Sequence, residues 1–282
     1  MERMDRMKNV KLSQKLTESG LLLALAVILS VLKIIDLPYG GSITLASMLP
    51  LIILSYRYGF TWGLLSGFVY GLIQMVIGMS ALSYVTGIVA VAAVIILDYV
   101  LAFMATALGA MFRNMEHPAT AFGLGALTVC AVRYAFHVIS GCTVWAGLSI
   151  PTGDAFWYSL IYNATYMLPE TIITVAAAVY IGTVIDFSSP RLKANKTEKR
   201  PVSVHVLNAV SGFLLVTAVV TIVAMVFSKL QNPETGEFDI TGITSVNITA
   251  LIIVVAVAVV MICALQMVKA SINRNQEGVQ HE

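Results

Sequence analysis

Long apolar runs separated by short polar turns are the feature that most limits what this chain can fold into. Hydrophobic residues make up 58% of its 282 residues and charged residues only 11%, whereas a soluble domain carries about 25% charge. Apolar runs of roughly 17–25 residues are long enough to span a bilayer as helices. A helix satisfies all of its own backbone hydrogen bonds, which lipid cannot do. The sequence therefore predicts an all-α integral membrane protein.

The runs divide the chain into eight predicted spans: 17–35, 43–56, 62–77, 84–112, 122–145, 156–185, 204–227 and 246–268. We group them by composition into a basic N-terminal tail (1–16), a six-span core (17–185), a basic linker (186–203), a two-helix C-terminal hairpin (204–270) and a polar tail (271–282). An even number of spans places both termini on the same side of the membrane.

The distribution of positive charge predicts which side that is. With eight spans, nearly all lysine and arginine falls on one face: in both tails, in the linker, at Arg57 and at Arg113. The opposite loops carry Asp36 and Asp154, with Lys33 and Lys229 as exceptions. Cytoplasmic loops are enriched in positive residues. We therefore expect a multi-pass protein of the cell membrane with both termini in the cytoplasm.

Ionisable and polar residues inside the spans are the candidate functional groups, because they are costly in lipid. Two helical faces carry them: Arg133, His137, Gly141 and Trp145 on the fifth span, and Asn163, Tyr166 and Glu170 on the sixth. A helix rises about 1.5 Å per residue, which places His137, Asn163 and Asp98 at comparable depth. Arg133 and Glu170 lie deeper.

We interpret the deeper residues, Arg133 and Glu170, as a buried structural ion pair, since charges inside membranes usually pair. Asp98 is an alternative partner for Arg133. The shallower residues predict a pocket for a small, partly cationic, aromatic ligand. Asp98 can pair with a cation, and His137 and Asn163 can supply directional hydrogen bonds. Tyr99, Trp145 and Tyr158 can supply stacking and cation–π faces. Alternatively, His137 is a hydrogen-bonded core residue, and Trp145 and Trp157 are interfacial aromatics.

Several function classes are disfavoured. HExxH, GxSxG and P-loop motifs do not occur in the sequence, so no enzyme activity is predicted. The three cysteines have no metal-ligand spacing, and neither a metal nor a cofactor is expected. A net charge of +2 gives no reason to expect nucleic acid as a partner.

The motifs together resemble the thiamine-specific S components of energy-coupling-factor (ECF) transporters. The resemblance covers about residues 17–185 and is carried by the segments 40–50, 57–67 and 98–103, and most strongly by 133–145 and 157–163. It implies a subunit without ATPase activity that captures thiamine from outside. It also implies partners, namely a transmembrane coupling subunit and two ATPases.

The resemblance also implies roles for individual residues. Ligand-binding positions are Tyr39, Tyr70, Asp98, Tyr99, His137, Gly141, Trp145, Tyr158 and Asn163. Asp98 takes a place where glutamate is usual in the family, so its contact with ligand is direct or water-bridged. Tyr39 is a lid residue or simply a turn tyrosine.

Small residues of the first span, Gly20 and Ala24, are the implied docking site for the coupling subunit, with Ala26 and Ser30 as the competing pair. The two C-terminal spans are additional to the six-span family. Three alternatives remain. The first is an S component for another vitamin or for a thiamine precursor such as hydroxymethylpyrimidine, and the second is a proton-coupled secondary transporter that uses Asp98, His137 and Glu170. The third is a membrane protein of assembly or scaffolding type, whose polar residues only hold helices together.

Overall fold

The computed structural model describes residues 10–147, 152–187, 189, 191–195, 202–232 and 238–280. Parts of the two tails, of the basic linker and of two polar loops lie outside these residues. The chain forms two compact units, Met1–Asn195 and Lys196–Glu282. The expected all-helical membrane architecture is confirmed: in the described residues, seven helices are long and apolar enough to cross a membrane.

The first unit contains six helices and two small hairpins. Its elements are, in order, α1 (Leu12–Val31), β1 (Lys33–Asp36), β2 (Ser42–Thr44), α2 (Leu49–Tyr58), α3 (Phe60–Ile77), α4 (Ile88–Ala110), α5 (Pro118–Gly147), α6 (Thr152–Val184), β3 (Ile185–Asp186) and β4 (Lys193–Ala194). Short 3₁₀ helices at Pro38–Gly40 and Met79–Tyr84 complete it.

The first two predicted spans have different limits in the structure. The helix predicted at 17–35 ends at Val31, because Lys33–Asp36 pairs as a strand with Ser42–Thr44. The span predicted at 43–56 is a helix of only 10 residues, Leu49–Tyr58, which is about 15 Å long. We call this hairpin the lid hairpin (33–44). Its paired strands include residues that hydropathy had assigned to the first and second helices.

The short α2 nevertheless completes a passage across the bundle. Three side-chain contacts show that α1 and α3 run in the same direction. Trp62 donates to Ser19 (2.8 Å), Tyr70 to the carbonyl of Ala26 (3.2 Å), and Gln74 to Ser30 (2.7 Å). Because two parallel helices require a return between them, residues 33–58 must make it. The core therefore keeps six passages, as the sequence predicts, with one of them partly extended.

The fourth predicted span, 84–112, is shorter and less regular than expected. It runs over Ile88–Ala110 and contains a π-helical stretch, Val94–Leu101, that includes Asp98. Glycines of α3 allow its backbone to pack directly on α4: a Cβ at Gly67 would lie 2.3 Å from the carbonyl oxygen of Phe103, and one at Gly71 2.2 Å from that of Tyr99. π-Helical turns are frequent at functional sites.

A polar network joins the elements at the end of the unit opposite the lid hairpin. Arg57, whose side chain is fully buried, forms an ion pair with Glu18 of α1 (2.8 Å). The Arg57 guanidinium also donates to the carbonyls of Phe187 and Ser189 (3.4 and 2.9 Å), and Tyr58 donates to Glu18. We call this the Arg57 network. It fastens α1 and the segment after α6 to the end of α2.

The second unit is a helical hairpin of α7 (Val202–Leu230) and α8 (Ile248–Gln280), with a 3₁₀ turn at Ile240–Ser245. Polar side chains connect the two helices within otherwise apolar surfaces: Gln266 donates to Ser211 (3.1 Å) and Lys269 to Asn208 (3.0 Å). The apolar residues of α8 are largely exposed, as expected for a helix that faces lipid.

We expect Arg57→Ala to destabilise the core, because it leaves the part-buried Glu18 without its ion-pair partner. Removing one member of such a pair costs about 2–4 kcal/mol, so the apparent unfolding temperature in detergent should fall by at least about 5 °C. Lys11→Ala, at the exposed position just before α1, is the matched control. Unchanged melting of Arg57→Ala would contradict this role.

Candidate functional site

A cavity of about 480 Å³ lies between the lid hairpin and α1, α3, α4, α5 and α6. This volume falls in the usual range of small-molecule sites, roughly 300–1,000 Å³. Among its lining residues are most of those predicted from sequence: Tyr39, Tyr70, Asp98, Tyr99, His137, Gly141, Trp145 and Asn163. Residues from six separate parts of the chain therefore meet around one space.

The centre of the polar wall is the pair Asp98 and His137. Nδ1 of His137 lies 3.0 Å from Oδ1 of Asp98, and Ser140 donates to the other carboxylate oxygen at 2.9 Å. Apart from this contact with His137, the buried Oδ1 of Asp98 has no partner among the described residues, and the buried Nε2 of His137 has none. Unsatisfied buried polar atoms are costly. Both atoms are therefore available to a polar or cationic ligand.

An aromatic wall faces this pair. The Trp145 ring lies 5.2 Å from that of Tyr39, 5.7 Å from that of Tyr162 and 5.5 Å from that of Tyr158. Tyr39 projects from the tip of the lid hairpin, where its φ of 64° is unusual for a residue with a side chain. Trp145 is only 4% exposed. Such a wall can hold an aromatic or cationic ring by stacking and cation–π contacts.

The predicted ion pair between Arg133 and Glu170 is not formed. Among the described residues, neither side chain has an oppositely charged partner within 4.0 Å. Arg133 lies over the ring of Phe103, 5.3 Å from its centroid, and its Nε has no hydrogen-bond partner in the described part of the chain. Both residues line the cavity. They belong to its wall, and the expected separation into a pocket and a structural layer beneath it is wrong.

Glu170 is held by two hydroxyl groups, one at the end of the lid hairpin and one just beyond it. Thr44 donates to its Oε1 at 2.5 Å and Ser47 at 3.4 Å. All three residues are buried and line the cavity. Thr44 and Ser47 were not predicted as site residues, because 43–56 was assigned to a helix. In the structure Thr44 ends strand β2, Ser47 lies between β2 and α2, and both hydroxyls reach Glu170 of α6.

Asn163 lines the cavity, but its amide is already used within the protein. Nδ2 donates to the carbonyls of Ser159 (2.9 Å) and His137 (3.3 Å), and Oδ1 accepts from Tyr166. The sequence prediction made Asn163 a hydrogen-bond partner of the ligand. In the structure it instead fixes α5 against α6 beside His137, and Gly141 permits this close approach because a Cβ there would meet Ser159.

The other predicted residues divide into lining and supporting positions. Tyr70 is fully buried and donates to Ala26, and Tyr99 donates to the carbonyl of Gly78 at 3.1 Å. Both present ring atoms to the cavity. Tyr158 does not line it and packs on Trp145. The expected contact of Tyr158 with a ligand is therefore replaced by support of the aromatic wall.

Tyr162 and Tyr166 are lining residues that the binding prediction omitted. The Tyr162 hydroxyl accepts a hydrogen bond from the backbone amide of Gly41 in the lid hairpin (3.0 Å). Tyr166 shares a helical face with Asn163 and Glu170, and this spacing was a usable signal for it. For Tyr162 the signal was weaker, since its role depends on the position of a hairpin that hydropathy does not reveal.

The two candidate pairs of small residues on α1 differ in their surroundings. Ala26 is fully buried, and Ser30 accepts from Gln74. This pair therefore packs within the bundle. Gly20 and Ala24 are exposed, and a Cβ at Gly20 would meet no atom within 4 Å. The surface around Gly20 and Ala24 is open to a partner, and their docking role stays a prediction.

These features define a helical multi-pass membrane protein with a polar and aromatic small-molecule cavity at one end of its core. The family model of the thiamine transporter protein (Thia_YuaJ) matches residues 16–188. The chain belongs to this family and is therefore a transporter protein, not an enzyme. The residues that line the cavity all fall within the matched region.

Individual proteins also resemble the chain. The thiamine transporter ThiT of Bacillus subtilis (strain 168) is 36% identical, over 56% of this chain and 85% of that protein. A solved structure of ThiT from Listeria monocytogenes covers 60% of this chain and 92% of that one, at 20% identity and a TM-score of 0.49.

Because the Asn163 amide links three parts of the site, we expect Asn163→Ala to lower the stability of the ligand-free protein. The loss of buried hydrogen bonds costs about 1–3 kcal/mol, seen as a lower unfolding temperature in detergent. Tyr180→Phe, at an exposed position of α6, is the control and should melt like the unaltered protein. A residue that only contacted the ligand would leave the ligand-free melting temperature unchanged.

Proposed function

We propose that the cavity binds thiamine and that the chain is the substrate-binding subunit for its uptake. The observation that carries the proposal is the pair Asp98 and His137, in which Nε2 of His137 has no partner among the described residues. The pair lines the same cavity as the aromatic wall around Trp145, in a member of the thiamine transporter family. Thiamine combines a cationic thiazolium ring with an aminopyrimidine ring. The carboxylate suits the cation or the amino group, and the aromatic wall suits either ring.

Desolvation supports this assignment of roles. The Asp98 carboxylate already accepts from Ser140 and lies beside His137, and its Oδ1 retains acceptor capacity. A part-buried carboxylate with remaining acceptor capacity is most stable when a cation or donor occupies the adjacent space. Nε2 of His137 can donate to or accept from the ligand according to its tautomer.

We further propose that the subunit works with an ECF module made of a coupling subunit and two ATPases. The sequence has no P-loop of its own, and the open surface at Gly20 and Ala24 permits close helix approach. Asp36 and Asp154 lie in the same half of the core as the cavity. Arg57 lies at the opposite end, and so does Arg113, whose guanidinium lies beside Gly59. This polarity supports a cavity that opens outward from the cell membrane and termini in the cytoplasm.

Two alternatives differ in ligand or energy source. A hydroxymethylpyrimidine transporter would need no site for a cation, whereas Asp98 provides one. A proton-coupled transporter would use Asp98, His137 and Glu170, all of which line the cavity. Thiamine uptake by this chain without an ECF module, abolished by a protonophore, would favour the second alternative.

Thiamine should quench the tryptophan fluorescence of the purified protein, because Trp145 lies on the cavity wall. Trp145→Phe should remove most of the quenching. Trp157→Phe is the matched control, since Trp157 is 54% exposed and should leave the signal intact. Titrations with thiamine, its phosphates and hydroxymethylpyrimidine measure the preference. Absence of quenching by saturating thiamine would contradict the proposed function.

Asp98→Asn should weaken thiamine binding by about 1–3 kcal/mol, because it removes the charge that faces a cationic ligand. The variant keeps the acceptor for Ser140, so the fold should be retained. Isothermal titration calorimetry with thiamine measures the affinity of Asp98→Asn and of Asp154→Asn, which alters an exposed carboxylate at the start of α6. Comparing the two separates a local effect at the cavity from the general effect of losing one negative charge. Equal affinity of the two variants would remove Asp98 from the binding site.

A further inference from the structure

The lid hairpin is attached to α6 at two points. The hydroxyl of Tyr162 accepts from the Gly41 amide, and Glu170 accepts from Thr44 at the end of β2 and from Ser47 beyond it. Tyr162 and Glu170 are eight residues apart, about 12 Å along the helix. One helix therefore contacts both the tip and the base of the hairpin.

The second attachment is the more buried one. Thr44, Ser47 and Glu170 are 5%, 3% and 7% exposed. The hydroxyl oxygens of Thr44 and Ser47 lie 2.9 Å apart, and the Ser47 amide donates to Thr44 (3.4 Å). Lipid or apolar protein offers no substitute acceptor for these groups. Detachment of the hairpin base would thus leave several polar groups unsatisfied.

The tip of the hairpin needs such an attachment. Tyr39 has a φ of 64° and places its ring 5.2 Å from Trp145. A left-handed conformation at a residue with a side chain persists only where surrounding contacts hold it. Residues 39–42 and Thr44 line the cavity, so the same hairpin that carries this conformation also forms part of the cavity wall.

We propose that Glu170 is a positioning residue that fastens the base of the lid hairpin and thereby slows the escape of a bound ligand. The hydroxyls of Thr44 and Ser47 are its partners, and the carboxylate does not itself need to touch the ligand. The kinetic part rests on the proposed thiamine binding, whereas the attachment is a property of the ligand-free protein.

Hydrogen–deuterium exchange of the full ligand-free chain in nanodiscs tests the attachment. Glu170→Ala should increase exchange of the amides at 41–48 by at least about fivefold, the size expected for one lost hydrogen bond. Exchange at 137–147 of α5 should not change. Glu170→Gln keeps an acceptor oxygen and should restore slow exchange. Thr174→Val, a buried hydroxyl of α6 outside the attachment, is the matched control.

Stopped-flow release of thiamine tests the consequence. Glu170→Ala and Thr44→Val should each increase the dissociation rate by at least about fivefold, with no further increase in the double variant. If Glu170→Ala does not fold, Thr44→Val provides both measurements. Unchanged hairpin exchange would overturn the attachment, even in a protein that binds thiamine. Loss of affinity with unchanged exchange would overturn it too, because Glu170 would then be a ligand contact. If thiamine does not bind, the exchange result alone decides the attachment.

Discussion

The cost of placing ionisable groups in an apolar bundle governs this structure. Asp98, Arg133, His137 and Glu170 all lie in membrane-spanning helices, where each must find a partner or face a polar space. Among the described residues, Arg133 and Glu170 do not form an ion pair with each other. Instead they surround a common cavity, with Asp98 and His137 in contact and Glu170 bound by hydroxyls. Three helices, α4, α5 and α6, direct these groups to the same cavity.

The lid hairpin follows from the same constraint. Extended backbone in a membrane protein is tolerated where it is buried in protein or lines a cavity, and residues 39–42 and Thr44 do line one. The backbone of β2 pairs with β1, while side chains of α6 bind Gly41 and Thr44. The hairpin thus replaces part of a helical passage, while its strands pair with each other and with side chains of α6. It also allows α2 to be short.

The sequence predicted the parts of this arrangement that depend on hydropathy and helical periodicity. Membrane helices, the faces of α5 and α6 and the meeting of Asp98 with His137 all follow from spacing and rise per residue. The lid hairpin did not, because Ile43 and the apolar residues around it read equally as helix or strand. The error at 43–56 then concealed Thr44 and Ser47, the partners of Glu170. Pairing Arg133 with Glu170 failed because equal depth does not establish side-chain contact.

Polar groups at the two ends of the core differ in how fully they are satisfied. In the Arg57 network the guanidinium pairs with the Glu18 carboxylate and donates to two backbone carbonyls. The Tyr58 hydroxyl also donates to Glu18. At the cavity, Nε of Arg133 and Nε2 of His137 are buried with no partner in the described residues, and Oδ1 of Asp98 contacts only His137. A satisfied network contributes to stability and gains nothing from a ligand. Unsatisfied buried groups are costly, and a ligand that bonded to them would remove that cost. The cavity is therefore the end of the core that a ligand would stabilise, as the proposed function requires, and the Arg57 network is scaffold.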